Sequence, residues 1–421
     1  MRDARRLRGI RIRPSAGKAG RWRTSASAAR RSTWPASACL PAMPAIRKTR
    51  PDTATYIGSG KADELSLACQ AREADVVIFD DELSGVQTRN LEEILHGAKV
   101  IDRTTLILDI FAQRAQSREG RLQVELAQMA YQLPRLLGHG VAMSRLGGGI
   151  GTRGPGEKKL ETDRRLIHQR IGQLKKELED VKRHREVTRQ QRGKDHALTA
   201  AIVGYTNAGK STLLNRLTGA GILAEDKLFA TLDPTTRSFT LGDGQQILLT
   251  DTVGFINKLP HHLVEAFKST LEEARYSDIV LHVVDCSNPQ MDMHMHVVKE
   301  TLRELGITDK TIVTVFNKTD RLEESGLPIP RDFSADYQVR ISAKNGDGLK
   351  ELEEILGNII RSRRVYLEKT YSYSQAGKLQ TIRKYGQLLS EEYTEEGIKV
   401  TAYVPAELFA GLYGDGPEEK E

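Results

Sequence analysis

The chain has 421 residues, 28% charged and only 5% aromatic, with a formal net charge of +7. That length accommodates two to four domains with ordinary cores. Its longest strongly apolar run, Ile279–Val284, falls far short of the roughly 18 residues of a membrane-spanning helix, which argues against a helical membrane protein. Cys39, Cys69 and Cys286 are spaced neither as metal ligands nor as a disulfide framework, so packing roles in a reducing compartment, the cytoplasm, are expected.

The basicity is local. Fourteen of the 63 Lys+Arg and one of the 56 Asp+Glu lie in the first 50 residues, giving that segment +13 and the remaining 371 residues −6. Residues 1–45 are rich in Arg, Ala and Ser with almost no apolar periodicity, so they are expected to be a disordered basic extension. Three origins fit that composition: a transit peptide, a nucleic-acid-binding arm, or sequence upstream of the true start. Residues 46–115 read as a small α/β subdomain, with strands at Val76–Phe79 and Lys99–Asp102 around a helix at Thr88–His96. Gly58-Ser59-Gly60-Lys61 lacks the first glycine and the Ser/Thr of a phosphate loop, Thr55 and Ala62 standing there instead. It reads as a strand-to-helix turn.

Over residues 116–196, Leu122, Leu126, Met129, Leu133 and Leu136 recur at steps of four and three, as do Ile167, Ile171, Leu174, Leu178 and Val181. Two short heptad seams joined by a turn predict an antiparallel helical hairpin. Pro134 is expected to kink the first helix or mark its end. The tip, 138–156, holds six glycines among ten residues, together with Arg145 and Arg153. It reads either as a connector or as flexible basic backbone suited to a phosphate-rich surface such as structured RNA.

Residues 197–364 carry five ordered motifs. Gly204-Tyr205-Thr206-Asn207-Ala208-Gly209-Lys210-Ser211 fits G-x-x-x-x-G-K-[ST], follows the apolar run Leu198–Val203 and leads into Thr212–Leu217. Such a turn frees backbone N–H groups for phosphate oxygens, with Lys210 directed to the β- and γ-phosphates and Ser211 to Mg²⁺. Phe229-Ala230-Thr231-Leu232-Asp233 precedes the strand Ser238–Leu241 and reads as a switch whose threonine completes the magnesium shell. Strand Gln246–Thr250 ends in Asp251-Thr252-Val253-Gly254, in which Asp251 holds magnesium through water and the Gly254 N–H senses the γ-phosphate. Strands Ile279–Asp285 and Thr311–Phe316 belong to a mostly parallel sheet, and the second ends in Asn317-Lys318-Thr319-Asp320. The Asp320 carboxylate accepts from guanine N1–H and N2, donors that adenine does not offer as a pair, so the motif selects GTP. Ser342-Ala343-Lys344 places a backbone N–H for the guanine O6. Phe255 stands where Ras-like enzymes have a water-positioning glutamine, so slow intrinsic turnover is expected. Asn207 reads equally as a potassium ligand or as a turn-stabilising residue.

The segment Arg145–Arg165, with Gly-Gly-Gly-Ile-Gly-Thr-Arg-Gly-Pro-Gly-Glu and Leu-Glu-Thr-Asp-Arg-Arg, resembles the signature of the HflX family in the Obg–HflX group of translation GTPases; Phe229–Arg237, Asp251–Phe255, Asn317–Asp320 and Ser342–Lys344 match as well. The resemblance runs from about Arg50 to the C-terminus, and residues 1–45 depart from it. It implies an α/β fold in which an α/β subdomain with its hairpin precedes a P-loop GTPase domain with helices on both sheet faces. A small α+β C-terminal domain, 365–413, would follow, with a strand at Lys399–Pro405 and an acidic tail at 414–421. It implies a monomer that binds GTP and GDP, with Lys210, Thr231 and Gly254 catalytic and Ser211 and Thr231 as magnesium ligands; Thr235 or Thr236 is the alternative to Thr231. It further implies binding to the large ribosomal subunit, with Arg145, Gly147, Gly148, Gly149, Gly151, Arg153 and Gly154 on ribosomal RNA near the peptidyl-transferase centre, and splitting of stalled ribosomes. A ribosome-assembly factor and an ATP-dependent RNA-remodelling protein are the alternatives, the latter disfavoured by the lack of a second complete phosphate loop.

Overall fold

The computed structural model describes residues 10–14, 51–143, 155–194, 198–219, 233–256, 273–322 and 331–414. They form two compact units, Met1–Gln113 with Arg121–Leu178, and Arg114–Gly120 with Glu179–Glu421.

In the first unit a sheet of order β1-β2-β3 is built from β1 (Ile10–Pro14), β2 (Ala74–Phe79) and β3 (Lys99–Asp102). Strands β2 and β3 are parallel and are joined through helix α2 (Gly85–Ile94), the crossover that parallel pairing demands. Ser84 starts α2 with a reciprocal cap, its hydroxyl accepting from Gln87 N at 3.2 Å while Gln87 Oε1 accepts from Ser84 N at 2.9 Å. Leu65 and Cys69 of α1 (Ser59–Ala71) pack with Val77, Phe79, Leu91 and Val100. Helix α3 (Arg103–Arg114) follows β3 directly. Strand β1 lies inside the extension expected to be disordered and pairs antiparallel with β2, Ile10 opposite Phe79. The alternation Ile10-Arg11-Ile12-Arg13 has the period of a strand, and its pairing satisfies the outer edge of β2. Among the described residues 51–58 immediately before α1, an isolated Asp52–Tyr56 bridge stands in place of the strand expected before the Gly58 turn.

The hairpin helices are α4 (Arg118–Met143) and α5 (Pro155–Lys194). Both extend into the expected tip, which shrinks to 144–154; the candidate RNA-contacting residues Arg145, Gly147, Gly148, Gly149, Gly151, Arg153 and Gly154 lie outside the described residues. Pro134 does not end α4, which runs through it. On α5 the expected seam is the least exposed stripe, with Leu174 and Leu178 buried. On α4 the expected seam residue Leu122 is buried, Leu126, Met129 and Leu133 are half-buried, and Leu136 lies outside the residues whose side chains are described, whereas Val124, Ala127 and Tyr131 are buried more deeply. The reason is a second packing surface. Arg135 donates to Leu83 O at 2.7 Å and to the buried Asp102 carboxylate at 2.9 Å, and Tyr131 hydrogen-bonds the same carboxylate. The Arg170–Glu125 pair at 2.8 and 3.0 Å ties α5 to α4.

In the second unit a sheet of order β5-β6-β4-β7-β8-β9 comprises β4 (Leu198–Gly204), β5 (Thr235–Thr240), β6 (Gln246–Asp251), β7 (Ile279–Asp285), β8 (Thr311–Asn317) and β9 (Tyr337–Arg340). Only β5 is antiparallel. Both faces are covered. Ala200 and Ile202 pack with α6 (Lys210–Thr218) and α8 (Leu349–Ser362), whereas the alternate residues Ala201 and Val203 pack with α7 (Met291–Glu304). This explains the unbroken apolar runs of β4 and β7. A second sheet, β10-β12-β11, follows, made of β10 (Arg364–Tyr371), β11 (Gln387–Thr394) and β12 (Gly397–Pro405). It packs with α9 (Ala376–Tyr385) and α10 (Ala406–Tyr413) around Leu367, Tyr371, Val400 and Val404. Among the described residues no helix is long and apolar enough to cross a membrane.

Candidate nucleotide site

Among the described residues, the phosphate loop, Asp-x-x-Gly, guanine motif and Ser-Ala-Lys turn lie at or just beyond the carboxyl ends of β4, β6, β8 and β9, where open α/β sheets bind ligands. Residues 205–209 connect β4 to α6, and the φ angles there are unusual: 63° at Asn207 and 98° at Gly209. Asparagine tolerates this left-handed region better than most residues. Gly209 has a further constraint, since a Cβ on it would sit 2.2 Å from Asn317 Nδ2. The turn therefore rests directly on the guanine-motif strand.

Asn317 Nδ2 donates to Ala208 O at 2.8 Å, and Asn317 Oδ1 accepts from Ala343 N at 3.0 Å. Lys318 Nζ donates to Asn207 O and to Asp285 Oδ2, each at 2.8 Å. Ser342 Oγ donates to Asp320 Oδ1 at 2.7 Å. Phosphate loop, guanine motif and the Ser-Ala-Lys turn thus form one hydrogen-bonded assembly. Asp285, at the end of β7, belongs to it although no motif named it; its place at a parallel strand end was the available signal. Thr319 N is held by Ile341 O at 3.2 Å, and Lys344 is exposed.

Lys210 is only 6% exposed, and its Nζ donates to the loop carbonyls of Tyr205 at 3.1 Å and Gly204 at 3.3 Å. Burial lowers its pKa to about 8, with the nearby Asp251 carboxylate opposing the shift. Ser211 Oγ donates to the fully buried Asp251 Oδ2 at 2.6 Å. A hydroxyl and a carboxylate oxygen side by side at the phosphate loop are the hard donors Mg²⁺ takes. Thr212 lies half-buried on α6.

The end of β6 is pinned to the phosphate loop: Thr206 N donates to Phe255 O at 2.8 Å and Phe255 N to Gly204 O at 3.0 Å. The Phe255 ring is buried with Val203, Ala274 and Val280, so its replacement of glutamine serves packing. A Cβ on Gly254 would come within 2.9 Å of both Lys210 Nζ and Thr206 Cα. Gly254→Ala is expected to lower GTP turnover by about 100-fold, the usual effect of small misplacement at a reacting centre, while GDP affinity changes little. Single-turnover hydrolysis alongside GDP titration checks this.

Three expected nucleotide or metal contacts have side chains engaged elsewhere. Thr252 donates its hydroxyl to Ile202 O at 2.8 Å and is fully buried, so its side chain braces the sheet instead of meeting nucleotide; Val253 is likewise buried. Asp233 is engaged elsewhere, accepting from Gln116 N at 2.9 Å and Ser117 N at 2.7 Å. Thr235 and Thr236 sit in β5, and the Thr236 hydroxyl pairs with that of Thr250 at 2.9 Å, so Thr236 is a poor alternative to Thr231. Phe229, Ala230, Thr231 and Leu232 lie outside the described residues.

The chain is similar to known GTP-binding proteins. Residues 40–112 match the family described as GTP-binding GTPase N-terminal, 114–192 the GTP-binding GTPase Middle Region, and 199–318 the 50S ribosome-binding GTPase family. The chain is 70% identical over 358 residues to GTPase HflX of Lacrimispora saccharolytica, covering 85% of this chain and 84% of that one. It is 43% identical to GTPase HflX of Escherichia coli over 371 residues, 87% of each chain. Among solved structures, a GTP-binding protein from the hyperthermophilic archaeon Sulfolobus solfataricus in complex with GDP is 27% identical, with a TM-score of 0.39 over 73% of this chain and 87% of that one.

Proposed function

We propose, for a chain that belongs to the HflX family and is a GTP hydrolase, a nucleotide-driven switch that docks on the large ribosomal subunit and splits stalled ribosomes. The observation that carries the nucleotide half is the shared assembly of Asn317, Lys318, Asp320 and the 204–211 loop. The match of residues 199–318 to a 50S ribosome-binding GTPase family supports the ribosomal half. The hairpin of α4 and α5 presents the glycine- and arginine-rich tip near the peptidyl-transferase centre, and the GTP form displaces the small subunit by occupying its space. Hydrolysis then permits release, since only a difference in affinity between the two nucleotide states can shift the binding equilibrium.

Ser211 and Thr231 would ligate Mg²⁺ and Asp251 would hold it through water, and the ion would supply charge neutralisation at the β- and γ-phosphates. Lys210 supplies a fixed positive charge to the same oxygens, the Gly254 N–H meets the γ-phosphate, and Asp320 reads guanine. Because Phe255 is packed away, hydrolysis would draw on another group, on a partner such as the ribosome, or on a cation that Asn207 would help to hold and that would supply positive charge beside the phosphates. The test is GTP turnover of the full chain in potassium and in sodium buffer, with and without 50S subunits and 70S ribosomes. Strong stimulation by ribosomal particles that is lost on deleting Gly147–Gly156 is the expected result. Fast turnover that ignores ribosomes overturns the ribosomal half and leaves the GTPase.

A further inference from the structure

We infer that Asp233 is a positioning residue that ties the end of the first switch to the start of hairpin helix α4, coupling the nucleotide state to that helix. The inference rests on the GTP-hydrolase assignment and not on the ribosomal reading.

Asp233 lies two residues beyond Thr231 and two before β5. Its Oδ2 accepts the backbone N–H groups of Gln116 at 2.9 Å and Ser117 at 2.7 Å, and its Oδ1 accepts the Ser117 hydroxyl. Ser117 in turn caps α4, its Oγ accepting from Gly120 N at 2.8 Å. Residues 114–120 belong to the same compact unit as the GTPase sheet, although α4 itself runs on to Met143. A free helix start leaves several N–H groups without intrahelical partners. Here two N–H groups just ahead of the helix are satisfied by a carboxylate from the switch, so the first turn of α4 and the switch end are ordered together.

Two further observations point to the same place. Gly120 leaves room for the arrangement, because a Cβ there would sit 2.3 Å from Asp233 Oδ1. Arg185 of α5 pairs with Glu119 in the same first turn and stands 4.0 Å from Glu273, in the helical turn 273–276 downstream of Asp-x-x-Gly. The start of α4 is thus bonded to the end of the first switch and, through Arg185, to the chain that follows the second.

Switch segments are ordered by the γ-phosphate and its magnesium and released on hydrolysis. An anchor two residues from Thr231 that holds more firmly beside a γ-phosphate favours GTP over GDP. By reciprocity, GTP must tighten the anchor and with it the start of α4.

The experiment is hydrogen exchange on the full chain bound to GDP or to guanylyl imidodiphosphate, together with the two affinities. In the unmodified chain the amides of Gln116, Ser117 and Gly120 should be better protected with the triphosphate analogue. In Asp233→Ala that difference should vanish, and the analogue-to-GDP affinity ratio should fall at least about five-fold with GDP affinity unchanged. Asp233→Asn should restore most of the ratio, because an amide oxygen still accepts both N–H groups and its nitrogen donates to Ser117. Gly120→Ala should reproduce the loss from the helix side, and since alanine favours helix over glycine, a poorer helix would not be the cause. It also keeps the test available should Asp233→Ala fail to fold. Protection indifferent to nucleotide in the unmodified chain, or an equal fall of both affinities in the variants, overturns the inference.

Discussion

Asp320→Asn should lower GTP affinity by about 10²–10⁴-fold and raise that for XTP. As the proposed reader of the base, the carboxylate is expected to accept two hydrogen bonds from guanine, and hydrogen bonds to a charged group are worth about 1.5–3 kcal/mol each. Asparagine loses one of them, about 1.5–3 kcal/mol, and leaves the facing donors without an acceptor at about 1–3 kcal/mol more, so about 3–6 kcal/mol is removed, or two to four decades of affinity. The asparagine amide presents an NH₂ where guanine also presents donors, so one hydrogen bond becomes a donor–donor conflict. Xanthine carries a carbonyl at the position of the guanine amine and accepts what the amide donates. The geometry makes the exchange clean: Ser342 Oγ fixes Asp320 Oδ1 at 2.7 Å, and the short helix Thr319–Arg321 holds its backbone. Asparagine retains an oxygen for that hydroxyl, so the fold should survive. Competition of GTP and XTP for a fluorescent nucleotide decides the matter. An unchanged preference for GTP would show that Asp320 does not read the base.

The parts of this protein legible in the sequence are those where one local pattern has one physical solution. Buried parallel strands such as Ile279–Asp285 need apolar side chains on both faces, and the residues that end them, Asp251 and Asn317, converge because the sheet is parallel. The nucleotide site followed from that. What stayed hidden is where a residue has two obligations. The heptad reading of α4 found the buried Leu122 but also selected the half-buried Leu126, Met129 and Leu133, whereas a helix with two packing surfaces buries Val124, Ala127 and Tyr131 more deeply. Pro134 was expected to kink α4 or mark its end because its ring disturbs the preceding turn, yet α4 runs through it and Arg135 is locked onto Leu83 and Asp102 immediately beyond. Tertiary bonds of this kind outweigh a local preference. Asp233 matched a nucleotide motif by position and serves a helix start 116 residues away. No spacing rule reaches that far. Ile10–Pro14 was masked for another reason: the arginine-rich composition of the first 45 residues overwhelmed a four-residue alternation.

Lys210→Met should abolish nucleotide binding and yet stabilise the nucleotide-free protein. The phosphate-loop lysine is 6% exposed, and burial brings its pKa from 10.5 to about 8. At about 1.4 kcal/mol per unit, holding that charge costs the empty fold about 3 kcal/mol near neutral pH. Methionine has a similar length and removes the charge. Against the gain stands the loss of donors to Gly204 O and Tyr205 O, at 3.3 and 3.1 Å, worth about 1 kcal/mol each. The net is about 1 kcal/mol, a rise of about 2–4 °C in the unfolding midpoint for a unit of this size. The pH dependence distinguishes this account from generic repacking. Below pH 8 lysine is protonated in both folded and unfolded chains, so the full cost is present and the variant has its greatest advantage. Between about pH 8 and 10.5 the unfolded chain keeps a proton that the folded chain has released, so stability of the unmodified protein rises with pH. The advantage of Lys210→Met must shrink across that window. Saturating GDP inverts the order, because phosphate oxygens turn the buried cation from a cost into a partner: ligand at 100 times its Kd adds about 2.7 kcal/mol to the unmodified chain and nothing to the variant. Thermal unfolding at pH 7 and pH 9.5, with and without GDP, measures all four values. A variant less stable than the unmodified protein without nucleotide at pH 7 would mean that the two carbonyl contacts outweigh the burial of charge.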